Sequence, residues 1–513
     1  METRSKNSVR NIISGMSNRF VQIALPFISR TVLIYTLGSE YLGLNSLFTS
    51  ILMVLNLSEL GIGSALVYSM YKPVAEKDFY KIRALLSLYK KLFRIIGVVL
   101  FVLGSLVAPF LREIIKGDVP ADINIYILYF IYLINTSVSY FVFAHKKALL
   151  TAYQRSDVLT NVNSVITIVL YVSQILLLLL FKNYYAFVII YPLFTITENL
   201  WIGYEAKKRY PDIECEGEVS QDDKKEIKQH VKGIALQQFC STSRNSLDSI
   251  VISIYLGLNT IAMYSNYFYI MSSVHAFLYQ IPNAIRAIVG NSVASESVDK
   301  NYDDFNSMYI LYMWISGWCT ACLVCLYQPF MNLWVGSSLM FPMLTVALFC
   351  LYFTLLNMSD IIALYKDAAG LWWHGRYRVV IEAVANLILN FLLGYLWGVN
   401  GILLATIITM VFLGHGYGGW IIFHYYFKDK SYLKFIALQL LYLLIIGVVS
   451  MGSYWVCTLL PETNTILRLI YVGLICLVVP NIFLFLLFWK LPHFKQAVRF
   501  LMNVKNSYRG NAV

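Results

Sequence analysis

The sequence predicts an all-α integral membrane protein of about fourteen transmembrane helices, and three observations carry that prediction. Hydrophobic residues make up 58% and charged residues 13% of 513 residues, and the mean hydropathy is +0.64, a balance too apolar for a soluble domain. Apolar stretches near the ~20 residues needed to cross a bilayer recur along the whole chain. The basic residues also segregate to alternate sides of these stretches.

In order, the spans are expected at 12–36, 41–70, 88–111, 123–145, 158–181, 184–206, 233–257, 260–290, 307–335, 340–365, 377–397, 401–427, 433–460 and 465–489. With the N-terminus in the cytoplasm, only Arg112, Lys116, Lys182 and Arg468 fall in external loops, out of 40 Lys and Arg. The positive-inside rule then fixes the orientation, with both termini cytoplasmic. The net charge of +12 belongs to topology and not to nucleic acid. The first ten residues are polar and basic and no convincing cleavage site follows, so the first helix is expected to be retained.

Eight cysteines are scattered, and no pair sits in an external loop as a disulfide framework would require. Cys319, Cys322 and Cys325 form a CxxCxxC run. They lie mid-helix with no fourth ligand in sequence, so helix packing by small residues is preferred over an iron–sulfur ligand set. The longest external loop, around 112–122, has about ten residues, which leaves no room for an extracytoplasmic catalytic domain.

Two matches at nearly one offset suggest an internal duplication. Leu37-Gly38 and the following Tyr41–Ser46 correspond to Leu256-Gly257 and the following Thr260–Ser265, and Gln154-Arg155 corresponds to Gly375-Arg376. Six helices per half is an even number, so both halves would insert the same way round and surround a central cavity. The expected organisation is an N-lobe over 1–206, a charged cytoplasmic linker over 207–232, a C-lobe over 233–427, and an appended helix pair with a cytoplasmic tail over 428–513.

The polar residues inside the spans are the functional suspects, because a charge at the bilayer centre costs roughly 2.5–3.5 kcal/mol on insertion scales. At about 100° per residue, Arg19, Gln22, Pro26 and Arg30 fall within about 80° of arc on the first helix. Such a stripe would face a hydrated cavity; the alternative is that the arginines snorkel to opposite interfaces or lock to a buried acid. The seventh span repeats the pattern with Gln237, Ser241, Arg244 and Asp248, the last two an i, i+4 pair that would also neutralise itself. Arg286 follows Pro282 near the cytoplasmic end of the eighth span, as a cavity residue or an anchor, and His275 reads as a packing residue ahead of a proton relay. Glu198 and Glu382 read as interfacial or capping. Glu59, Asp248 and Asp360 are the ion- or proton-coupling candidates. Prolines at 26, 192, 282, 329, 342 and 480 and the glycines at 414, 416, 418 and 419 would supply bends.

The stretch Asn11–Arg30 leading to Tyr35-Thr36-Leu37-Gly38, then Tyr41-Leu42-Gly43-Leu44 and the run Leu57–Gly63, resembles Wzx-type polysaccharide flippases of the multidrug/oligosaccharidyl-lipid/polysaccharide (MOP) exporter superfamily. The resemblance implies translocation of an undecaprenyl-pyrophosphate-linked oligosaccharide repeat unit from the cytoplasmic to the outer leaflet of the bacterial inner membrane by alternating access. It implies no enzymatic step, no cofactor beyond H+ or Na+ as a coupling ion, and a polysaccharide polymerase and glycosyltransferases as partners. Arg19 and Arg30, and by extension Arg244, match the cationic cavity positions of such proteins. The fourteen-span pattern resembles the lipid II flippase branch. A cation-coupled multidrug exporter of the same superfamily would favour acids and aromatics over arginines, and a membrane glycan polymerase or glycosyltransferase would need long external loops.

Overall fold

The computed structural model describes residues 21–56, 62–371, 374–461, 464–491 and 494–498. Among them the chain is helical throughout, with no strand. Eight helical segments of these residues are long and apolar enough to cross a membrane, or nine if one bent pair counts as a single span. Their surfaces are inverted relative to a soluble protein: Gln174 is fully buried while Leu180 on the same helix is 73% exposed. Lipid tails solvate leucine as well as a core does, so polar side chains gather inside and apolar ones face out.

By contact the chain divides into two compact units, residues 1–262 and 263–513. The first described helices of the first unit are α1 (Val21–Thr36) and α2 (Ser39–Leu55). Gly38 turns the chain between them with φ 115°, a conformation that favours glycine. The expected span 41–70 is represented by α2 and by α3 (Ile62–Glu76), on either side of residues outside the description. α4 (Phe79–Val107) starts at Asp78, whose carboxylate accepts the Lys81 amide at 3.0 Å. After the short α5 (Leu111–Ile114), α6 (Ile125–Phe141) and α7 (Ala144–Ala152) meet at a 50° bend with Phe143 at positive φ. α8 (Ser156–Phe181) and α9 (Tyr184–Arg209) form a hairpin through Lys182 in the left-handed region, with Asn183 capping α9.

The linker leads to Ser220, which caps α10 (Gln221–Leu256). α10 packs along α2 and α3. At its end Gly257, with φ 83°, turns the chain into α11 (Leu258–Leu278), as Gly38 does between α1 and α2. The two matching turns touch. Ser39 donates to Asn259 Oδ1 at 2.6 Å, 220 residues apart, and Asn259 donates to Glu40 Oε1 at 3.3 Å, 219 residues apart. Glu40 and Asn259 thus stand at the offset of 219 found in the sequence.

In the second unit the expected span 260–290 is two helices, α11 and α12 (Gln280–Ser295). Pro282 lacks the amide that would bond the Leu278 carbonyl, so the ladder skips one bond there while Tyr279 keeps helical dihedrals. α13 (Val298–Val335) is the hub, packing against α14 (Met343–Ala368), α17 (Tyr432–Thr458) and α18 (Thr465–Phe488). Tyr309, Tyr442 and Phe488 link α13, α17 and α18 through ring contacts of 5.8 Å and 5.6 Å. α15 (Arg376–Thr409) joins two helices at Gly398, where φ is 57°. A π-helical segment, Met410–Tyr417, then runs into α16 (Gly418–Tyr425).

Candidate functional site

On α1 the polar stripe faces protein. Gln22 donates to Asn163 Oδ1 on α8 at 3.3 Å. Two turns after Gln22 and on the same side, buried Ser29 donates to Gln174 Oε1 at 3.4 Å, and the Gln174 amide donates to the Phe187 carbonyl of α9 at 3.2 Å. The Tyr191 hydroxyl lies near Gln174 and in the field of Arg30. The exposed residues of α1 are Ile28 at 45% and Tyr35 at 68%, which at about 100° per residue sit roughly opposite the stripe. Arg30, half-buried, therefore projects from the side that carries α8 and α9 contacts.

In the second unit, α14 organises a charged cluster. Asp360, 9% exposed, accepts from the Tyr312 hydroxyl of α13 at 2.7 Å, and His275 Nε2 of α11 lies 3.2 Å from the same carboxylate. The Tyr312 hydroxyl is also 3.2 Å from Asn357 Oδ1, whose amide is tied to the Phe353 carbonyl at 2.8 Å. Carboxylate, imidazole and phenol thus converge from three helices. Seven residues further along α14, or about 10 Å, Asp367 pairs with Arg286 of α12 at 3.6 Å. Arg286 donates to Tyr279 at 3.2 Å and to Asn283 at 3.3 Å, and the Tyr279 ring lies 5.9 Å from that of His275. A polar track therefore follows α14 from buried Asp360 to Asp367, with His275, Tyr279 and Arg286 beside it.

Arg19 and Glu59 lie outside the described residues, as do the side chains of Gln237, Ser241 and Arg244. Asp248 is buried on α10 at 2% exposure. Glu382, expected at an interface or a cap, is buried and accepts from Arg378 one turn earlier at 2.6 Å. Glu198 pairs with Lys147 at 3.0 Å. The sequence reading passed over Tyr312, Asn357 and Arg378 and gave His275 a packing role. The residues that meet at Asp360 stand 48 and 85 positions from it, and no local spacing signals such a meeting.

Comparison with known proteins bears on the fold. Neither a protein-family model nor a curated protein matches the chain. Solved structures do. The lipid II flippase MurJ in an inward closed conformation matches with a TM-score of 0.68 and 15% identity, over 94% of this chain and 99% of that one. An inward-facing multidrug resistance MATE family transporter of the MOP superfamily matches with a TM-score of 0.65 and 14% identity, over 80% and 96%. A MOP superfamily transporter from Pyrococcus furiosus, described by the reverse polarity of its binding pocket, matches with a TM-score of 0.56 and 13% identity, over 82% and 96%. The chain accordingly has the helical fold shared by MOP superfamily transporters.

Proposed function

We propose that this chain is a flippase that carries an undecaprenyl-pyrophosphate-linked oligosaccharide repeat unit from the cytoplasmic to the outer leaflet of the bacterial inner membrane, for surface polysaccharide synthesis. The observation that carries the reading is the placement of Arg30 on the protein-facing stripe of α1 among Gln22, Ser29 and their α8 partners. A diphosphate cannot cross hydrocarbon bare, and guanidinium supplies charge with bidentate donors where the dielectric is low. In this reading Arg19, Arg30, Arg244 and Arg286, with Gln22, receive the headgroup in turn. Supporting it is the fold shared with a lipid II flippase over 94% of the chain.

The full layout belongs to the same proposal: fourteen spans, an N-lobe at 1–206, a linker at 207–232, a C-lobe at 233–427 and the appended pair at 428–513, with both termini cytoplasmic and the lobes alternating access. The turn-to-turn hydrogen bonds at offsets of 219 and 220 residues support the duplication. Asp360, with His275 and Tyr312, is the leading H+ or Na+ coupling site; Asp248 and Glu59 are the others. The polymerase and glycosyltransferases of the same polysaccharide are its partners.

The test is reconstitution in liposomes with a fluorescent polyprenyl-pyrophosphate glycan. Wild type should expose the glycan on the far leaflet, and Arg30→Ala should slow it at least tenfold, with partial recovery in Arg30→Lys. Failure of wild type to move any lipid-linked glycan, together with export of cationic drugs, would overturn the reading in favour of a multidrug exporter.

A further inference from the structure

The CxxCxxC run of α13 finds partners that its sequence spacing does not reveal. Cys322 and Cys325 stand three residues apart on α13, the helix against which α17 and α18 pack. Cys457 lies in the last turn of α17, and Cys476 lies in the middle of α18. The Sγ atoms of Cys325, Cys457 and Cys476 all lie within 4.8 Å of one another, and all three residues are buried. Cys322 Sγ is 3.8 Å from the Cys476 carbonyl, which also accepts the Trp318 indole at 2.8 Å. Three of the chain's eight cysteines thus bring their sulfurs together from three helices, with Cys322 packed beside them. Around them are Val472, Leu326, Leu460 and Ile475.

Packing by small residues explains one cysteine at a helix crossing, where alanine, serine or glycine would serve as well. It does not explain why each of three helices offers sulfur to the same point. A tetrahedral ion with bonds of about 2.3 Å holds its sulfurs about 3.8 Å apart, a contraction from the present spacing within reach of small side-chain rotations. The donor set is all sulfur in an apolar surround, which selects soft ions and rejects Mg2+ and Ca2+.

We propose that Cys322, Cys325, Cys457 and Cys476 form a site for a soft thiophilic cation, Zn2+ or Cu+, that clamps α17 and α18 onto α13. Each thiol that ligates the ion gives up its proton to water, because the thiolate and not the thiol is the metal ligand. The site is independent of any translocated substrate and acts on the appended helix pair.

The test uses the full-length protein in detergent, purified under reductant, with Cd2+ and Cu+ each added alone as probes. Wild type should hold about one equivalent of metal per chain by elemental analysis, and Cd2+ should raise a sulfur-to-metal charge-transfer band in the ultraviolet. Cys325→Ala should lose at least tenfold of that binding, whereas Cys350→Ala, a buried cysteine on α14, should keep it. A second measurement needs no variant: bound metal should block alkylation of Cys457 and Cys476 by a membrane-permeant maleimide, and a chelator should restore it. Less than a tenth of an equivalent on wild type for both ions would overturn the proposal. So would full binding by Cys325→Ala, or a Cys457–Cys476 disulfide in protein purified without reductant.

Discussion

Replacing Asp360 with asparagine separates charge from shape at the cluster on α14. The carboxamide has the carboxylate's volume, and its oxygen can still accept from Tyr312, which now sits 2.7 Å from Oδ2. Its nitrogen can donate to the His275 ring in place of the present 3.2 Å contact. Two charge-assisted bonds, each worth about 1.5–3 kcal/mol, become neutral bonds of about 0.5–1.5 kcal/mol. The buried charge also disappears, and its desolvation cost with it. These changes oppose one another, so the fold should keep its stability to within about 1 kcal/mol. Coupling should not survive, because the amide cannot take up a proton at neutral pH.

The assay is glycan translocation in proteoliposomes with a pH difference of one unit imposed across the membrane. One proton moving down that gradient supplies about 1.36 kcal/mol, enough for a tenfold steady-state ratio between leaflets. Wild type should approach that ratio, and Asp360→Asn should fall to the ratio seen without a gradient while retaining its melting temperature. A tenfold ratio in the variant would refute the assignment of Asp360 to coupling. Asp360→Ala serves as the contrast: Tyr312 keeps Asn357 as a neighbour at 3.2 Å, whereas His275 loses its carboxylate, and the orphaned ring should cost about 1–3 kcal/mol.

Other parts of the structure make equally direct demands. Glu382→Ala strands the Arg378 guanidinium, 14% exposed, with the Leu413 carbonyl at 3.5 Å as its remaining acceptor; thermal unfolding should show a loss of about 3–5 kcal/mol, and pairing it with Arg378→Met should recover most of it. A loss under 1 kcal/mol would contradict that burial. Gly43→Ala drives a methyl group into the Leu258 backbone carbonyl, so the contact between the α1–α2 and α10–α11 turns should open at a cost of at least 1–3 kcal/mol, read as a lower melting temperature. In the linker region, Lys81 and Ser220 hydrogen-bond the Asp223 carboxyl and hold its pKa below the ordinary 3.8. A depressed folded-state value means that this stabilisation is complete above the unfolded pKa and fades as pH drops through the folded one. Lys81→Ala at neutral pH should remove about 0.2–1 kcal/mol and raise proteolytic nicking near 207–220 by up to about fivefold. At a pH well below the folded-state pKa of Asp223, where its carboxyl is protonated, the variant and wild type should be nicked alike.

How much of this was legible in the sequence follows from what helical periodicity can carry. Hydropathy located elements well where lipid surrounds them: the span expected at 158–181 is α8 at Ser156–Phe181, and that at 465–489 is α18 at Thr465–Phe488. At 260–290 a single residue, Tyr279, divides the expected span into α11 and α12, where Pro282 removes an amide without interrupting the apolar run. Hydropathy fared better at Gly398, where the gap expected between 397 and 401 is the turn itself. Angular spacing likewise gave the inward side of α1, since Gln22 and Arg30 share an arc and Ile28 and Tyr35 occupy the opposite one.

A period of 3.6 residues says which face of a helix turns inward and nothing about what it meets there. Asp360 was therefore visible as a costly residue, while His275 and Tyr312, on other helices, were not visible as its partners. The same gap separated Cys325 from Cys457 and Cys476. Asp360 and the cysteine cluster place different demands on the chain that encloses them: the carboxylate is useful only while a proton can reach and leave it, whereas a clamp is useful only while its ion stays. A track of polar groups leads from Asp360 to the half-exposed Arg286–Asp367 pair, and the thiols are walled by Val472, Leu326, Leu460 and Ile475. Each surround suits the role assigned to what it encloses. A polar substitution in the thiol wall, such as Val472→Asn, should therefore speed metal loss to a chelator while leaving the pH-driven leaflet ratio as it is in wild type.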